Sequence, residues 1–157
     1  MVALHEDKLR GIAYRTFEIT CYMYPLEEWE LEDLSDEERE LNDNSITALV
    51  EFDGAAKGAM SIRVSPELLD AISENMLGME EGTDELKEGA LCEIANIICG
   101  NTVPVFAKGD NICYIRSPRI IEDHTNPGQE LMSMQNECLQ IYLDEGVAEL
   151  TIYYSTD

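Results

Sequence analysis

Glu93 and Asn96 are the two side chains of this sequence whose types and spacing could do chemistry. They sit in Thr83-Asp84-Glu85-Leu86-Lys87-Glu88-Gly89-Ala90-Leu91-Cys92-Glu93-Ile94-Ala95-Asn96-Ile97-Ile98-Cys99-Gly100-Asn101. Three residues apart on a helix, they lie one turn from each other and point the same way. An ionised carboxylate only accepts hydrogen bonds, so Glu93 suits a cation on a partner. A carboxamide donates and accepts without titrating, so Asn96 can hold a water in a fixed orientation but is no strong base. The pair fits a reaction that needs positioning more than proton removal. Phosphoryl transfer is such a reaction, because its loose transition state leaves the protein mainly to align the attacking oxygen. Without serine, histidine or cysteine arranged as nucleophile and base, acyl transfer finds no support.

The helix that must present the pair is expected over roughly 84–106. Leu86, Ala90, Leu91, Ile94, Ile97 and Ile98 form an apolar stripe that faces a sheet. Gly89, Glu93, Asn96 and Gly100 line another stripe, at steps of four, three and four. Each helix-interior glycine costs about 1 kcal/mol relative to alanine, which calls for an offsetting use. A ridge bare at its ends and polar at its middle lets a second surface come close, so Gly89 and Gly100 are read as partner-binding positions. The bland alternative stands beside this one: the glycines make a permanent helix contact in a homo-oligomer, with an ordinary exposed Glu and Asn next to it. E-x-x-N alone is a short motif that decides nothing. Pro104 cannot donate its backbone bond and is expected to kink or end the helix.

Around that helix the chain reads as α+β. Periodic apolar residues over 4–24, closed by Pro25, predict an N-terminal helix. Residues 45–64 alternate as a hairpin, Ser65-Pro66 opens a helix that stops at Gly78, and a second acidic spacer spans Glu80 to Asp84. Ile112–Ile121 reads as a strand broken at Pro118, and a last hairpin turns at Asp144-Glu145-Gly146. The order predicts a two-layer domain, helices covering one face of a mostly antiparallel sheet.

Thirty-three acidic against ten basic residues give a net charge of −23 over 157 residues, enough chain for one domain with a real core. Nucleic acid is a poor partner for such a surface, and so is an anionic membrane. No apolar run approaches the roughly 20 residues that span a bilayer, and the start of the chain lacks the features of an export signal. The cysteines (Cys21, Cys92, Cys99, Cys113, Cys138) contain no C-x-x-C pair and the histidines are His5 and His124, so no metal site is expected. Buried free thiols in a reducing cytoplasm are the simpler expectation. Between Glu27 and Asp43 lie ten acids and one base, Arg39, with Trp29, Leu31 and Leu34 interleaved. That run reads as a solvated linker or as an electrostatic docking arm, and Ser35-Asp36-Glu37-Glu38 has the form of a capping box.

The stretch Glu93-Ile94-Ala95-Asn96-Ile97-Ile98-Cys99-Gly100-Asn101 resembles the E-x-x-N-x-x-x-G-N helix of the CheC/CheX family of chemotaxis phosphatases. The likeness covers roughly Ser45 to Ile121, and a single copy of the helix points to the CheX type. It implies one CheX-like domain over 1–157: an N-terminal helix (4–24), an acidic loop (27–44) and a core unit (45–157). It further implies hydrolysis of the phospho-aspartate of a CheY-like response regulator in the cytoplasm; the alternative is a docking module that binds a regulator or a flagellar switch component without catalysis. Glu93 would pair with a lysine of the regulator, and Asn96 would align the attacking water. The magnesium would belong to the regulator, leaving this chain without a cofactor of its own. A homodimer joined through sheet edges is implied as well. Asn101 is read as a brace of the helix rather than a reacting group.

Overall fold

Alternation between Ser45 and Val64 produces the first hairpin of the computed structural model, which describes residues 4–78, 82–122 and 128–156. Strands β1 (Ile46–Gly54) and β2 (Lys57–Val64) pair antiparallel, Ile46 opposite Val64 and Phe52 opposite Gly58. Two three-residue strands on either side of Pro118, β3 (Cys113–Ile115) and β4 (Arg119–Ile121), both pair antiparallel with β1. The terminal hairpin, β5 (Gln135–Leu143) and β6 (Gly146–Ser155), joins through β6 to β2. The sheet thus runs β3–β1–β2–β6–β5, with β4 beside β3 on the outer edge of β1. Gly58 is dictated by the β2–β6 approach, since a Cβ there would stand 1.8 Å from the carbonyl oxygen of Tyr153.

One sheet face carries Ala48, Val50, Met60, Ile62, Leu150 and Ile152, all fully buried under helices. Helix α1 (Glu6–Cys21) contributes Leu9, Ala13 and Phe17 to that layer. Helix α4 (Pro66–Leu77) adds Leu68, Leu69 and Ile72, with Ser65 as its N-cap and Gly78, at φ 67°, as its left-handed stop. Burial of each such leucine, isoleucine or phenylalanine side chain stabilises the fold by about 1.5–3 kcal/mol. Helix α5 (Asp84–Thr102) lies on β1 between these neighbours and buries Leu91, Ile94 and Ile98. The free edge of β5 is partly covered: Leu26 N donates to Tyr142 O at 3.1 Å, and Arg10 Nη1 to Gln140 O at 2.7 Å.

Several boundaries differ from the sequence expectation. The N-terminal helix spans Glu6–Cys21 rather than 4–24, because Tyr22 turns left-handed at φ 58° and its N–H closes on Glu18 O. The central helix ends at Thr102, not near 106. Pro104 has no N–H for the Gly100 carbonyl, and Val103–Phe106 tightens into a 3-10 turn held by the Phe106 ring, 5.9 Å from Phe52 and 5.1 Å from Tyr154. Within the acidic stretch two short helices form, α2 (Glu28–Glu32) and α3 (Asp36–Arg39). Each has a capping box, Glu27 with Glu30 and the expected Ser35 with Glu38. A short helix that the sequence pattern does not announce, α6 (Gln129–Met132), precedes β5. Residues 80 and 81 of the second acidic spacer, and His124, lie outside the described residues.

The segment Asp84–Phe106 is long and apolar enough by composition to cross a bilayer, contrary to the sequence expectation, but half of its apolar 18-residue window is buried in the protein's own interior. Among the described residues no group of three or more His, Cys, Asp or Glu side chains gathers as a metal site.

Candidate active site

Helix α5 is fixed at both ends and along its buried arc. Thr83 Oγ1 accepts from Leu86 N at 3.2 Å, and Asp84 and Glu85 in the first turn complement the helix dipole. Lys87 Nζ reaches Asp70 on α4 at 2.7 Å, tying two helices together on the surface. At the far end Thr102 Oγ1 donates to Ile98 O at 2.7 Å. Asn101 Nδ2 donates to Ile97 O at 3.0 Å, so that amide braces the last turn.

Leu91, Ile94, Ala95, Ile98, Cys99 and Thr102 are buried, which centres the interior arc of the helix on these positions. With about 100° of rotation per residue, Gly89, Glu93, Asn96 and Gly100 fall within an arc of about 60° on the opposite side. Gly89, Glu93 and Gly100 are exposed and Asn96 is half-buried. The sequence expectation of one ridge is therefore met in space. Leu86 is a correction: placed in the sheet-facing stripe, it is 41% exposed, because helical rotation sets it about 20° from Glu93, on the outward side of α5.

The ridge is bare. A Cβ at Gly89 would meet no atom within 4 Å, and one at Gly100 would find only Ile115 Cδ1 at 3.7 Å. Among the described residues, neither the Glu93 carboxylate nor the Asn96 carboxamide has a hydrogen-bond or ion-pair partner. Two polar groups one turn apart are thus directed at space that nothing in the chain fills. The supports that sequence reasoning missed are the Lys87–Asp70 clamp and Ile115 beneath Gly100. The only signal for the first was a single base within an acidic helix start.

The nearby thiols do not supply a nucleophile. Burial, with a smaller contribution from Cys113, pushes Cys99 up to about 12, and burial and then Glu88 raise Cys92. Cys21 is likewise pushed up to about 12 by burial and then by Glu145. Cys21 and Cys99 stay protonated in the fold while the unfolded chain, with thiols near about 8.5, loses its protons first. Their contribution to stability is therefore complete below about pH 8.5 and falls between there and about pH 12. The loss is expected to approach about 1.4 kcal/mol per thiol per pH unit. Urea midpoints should drop from pH 8 to pH 10, and a flat midpoint would contradict this.

The family model described as chemotaxis phosphatase CheX matches residues 46–144, a span that contains the whole ridge and both hairpin strands before it. The chain belongs to the CheX family. Among curated proteins nothing matches it. Among solved structures, a chain of the CheX–CheY–BeF3–Mg complex from Borrelia burgdorferi is similar at TM-score 0.73 and 17% identity, covering 98% of this chain and 99% of that one. The chemotaxis protein CheX of Vibrio vulnificus gives TM-score 0.73 and 17% identity, with 99% of each chain covered. FliY of Thermotoga maritima shares the fold more loosely, at TM-score 0.56 and 16% identity over 98% of this chain and 92% of that one. At such identities the structures speak for the fold. CheX membership itself rests on the family match.

Proposed function

We propose that this CheX-family chain hydrolyses the phospho-aspartate of a CheY-like response regulator, using Glu93 to dock and Asn96 to position water. The observation that carries the proposal is the exposed, unpartnered Glu93–Asn96 pair between two glycines on a helix held rigid by its neighbours. The glycines admit a second protein to within van der Waals contact of the helix backbone. Glu93 then meets a lysine of the regulator, an ion pair that gains strength as the interface excludes water. Asn96 accepts from and orients one water in line with the phosphorus–oxygen bond to the aspartate. Attack forms the new P–O bond, the aspartate carboxylate leaves with the bonding pair, and inorganic phosphate departs. One carboxylate and one amide oxygen are too few to hold magnesium by themselves; the metal is the regulator's, where it offsets charge on the transferring group. The Borrelia complex, containing CheX with CheY, BeF3 and magnesium, supports this division of labour. The same proposal takes residues 1–157 as a single domain working in the cytoplasm as a homodimer.

Glu93→Ala is expected to weaken the complex with a phosphorylated receiver domain by about tenfold, the order of one charge-assisted contact. Calorimetry against the receiver, together with its dephosphorylation rate, checks this. Affinity and rate both equal to the parent's would remove the ion-pair role from Glu93.

A further inference from the structure

The acidic stretch before Ser45 lies outside the matched span 46–144 and takes no part in the ridge. It is folded nonetheless. Leu26 N is held by Tyr142 O at 3.1 Å, Arg63 Nη2 donates to Asn42 O at 3.0 Å, and the Arg39 guanidinium donates to Leu31 O. Helices α2 and α3 bury none of their residues, so this segment is anchored at its ends but stands off from the body. The gap between it, the β5–β6 turn and the start of α4 is a cavity of about 670 Å³.

The walls of that cavity are of two kinds. Trp29, Leu34, Leu41 and Val147 supply apolar surface, and Trp29, the only tryptophan of the chain, is 67% exposed. Asp33, Glu37, Glu38, Glu67, Asp144 and Glu145 supply carboxylates, and among the described residues no Lys, Arg or His lines the cavity. None of these carboxylates is in an ion pair among the described residues. One oxygen of Glu145 is sealed from solvent without any hydrogen-bond partner.

We infer that this cleft docks a basic amphipathic segment of a partner protein, an aliphatic or aromatic side chain entering beside Trp29 and Leu34. Lys or Arg flanking that anchor pairs with Asp33, Glu37 and Glu145. Charge complementarity selects the occupant: a neutral apolar peptide would leave these carboxylates buried and unpaired. A bare polycation would leave Leu34 and Leu41 uncovered, and the indole face adds attraction for a guanidinium or ammonium. The site stands independently of the Glu93–Asn96 ridge.

The test uses the full chain and three probes: a helical peptide of Leu and Lys with its leucines on one face, an oligolysine of equal charge, and spermidine. The amphipathic peptide is expected to shift Trp29 emission to the blue, saturably and at one to one. Oligolysine and spermidine should bind at least tenfold more weakly. Trp29→Ala with Leu34→Ala keeps the net charge at −23 and, by calorimetry, should lower peptide affinity at least tenfold. Asp33→Asn with Glu37→Gln should weaken it at least threefold, while Asn96→Ala leaves it unchanged. Both cleft double variants alter exposed or half-buried residues, and circular dichroism confirms the fold. Equal affinity for oligolysine and the amphipathic peptide, or a double variant as tight as the parent, would show diffuse attraction and overturn the inference. Loss of peptide binding in Asn96→Ala would put the peptide on the ridge and overturn it as well.

Discussion

Asn96→Ala is expected to lower the rate of receiver dephosphorylation by at least about 10²-fold while leaving affinity for the receiver within about threefold. Truncation breaks no hydrogen bond inside the chain, because among the described residues the carboxamide has no partner there. Alanine is also the better helix former, so α5 should be as stable or slightly more so. On the proposed role, what disappears is the group that holds water in line, an orientation that water in bulk adopts only by chance. Asn96→Asp keeps the shape but adds a negative charge beside a phosphoryl group that already carries several, so it should not restore the rate. Single-turnover loss of phosphate at saturating protein separates the chemical step from binding. A variant as fast as the parent would show that Asn96 does not position the water.

Gly89→Leu is expected to move stability and function in opposite directions. The glycine sits inside α5 on its exposed side, and a Cβ added there would have nothing within 4 Å, so leucine is expected to relieve a backbone entropy cost. Unfolding free energy should rise by about 0.5–1 kcal/mol. On the proposed docking, the same leucine occupies the space through which the regulator approaches, and phosphatase activity should fall at least tenfold. Denaturant unfolding and a dephosphorylation assay on one preparation read both effects. Increased stability with undiminished activity would mean that the bare ridge is no docking face.

The contrast between these substitutions also shows what was legible in the residues. Gly89, Glu93, Asn96 and Gly100 could be placed on one ridge because helical rotation depends on spacing alone, and the apolar residues opposite them fixed which side was inward. The hairpins at 45–64 and 139–154 were legible for the same reason, with alternation stating the face of each strand. Ends were less so. Tyr22 adopts a left-handed φ usually left to glycine, so nothing local announced that α1 would stop before Pro25. Pro104 did announce the break in α5, but where the helix stopped depended on Phe106 packing against Phe52 and Tyr154, contacts made across the chain. Leu86 looked like core by its apolar type alone, whereas its rotation about the helix sets it next to Glu93 on the outward side. The acidic run told its charge and its capping box, whereas the cavity it encloses depends on Leu26 and Asn42 being pinned to distant strands.

The central claim, that an open carboxylate–amide pair speeds hydrolysis of a phosphorylated receiver, is tested most directly by one time course. Phosphate loss from a phosphorylated CheY-like domain is followed in magnesium with increasing amounts of the full chain. The account predicts an acceleration of at least tenfold over spontaneous loss, saturating as the complex forms. A complex that forms at the same concentrations yet loses phosphate at the spontaneous rate would contradict it, and would leave the chain a docking protein without catalysis.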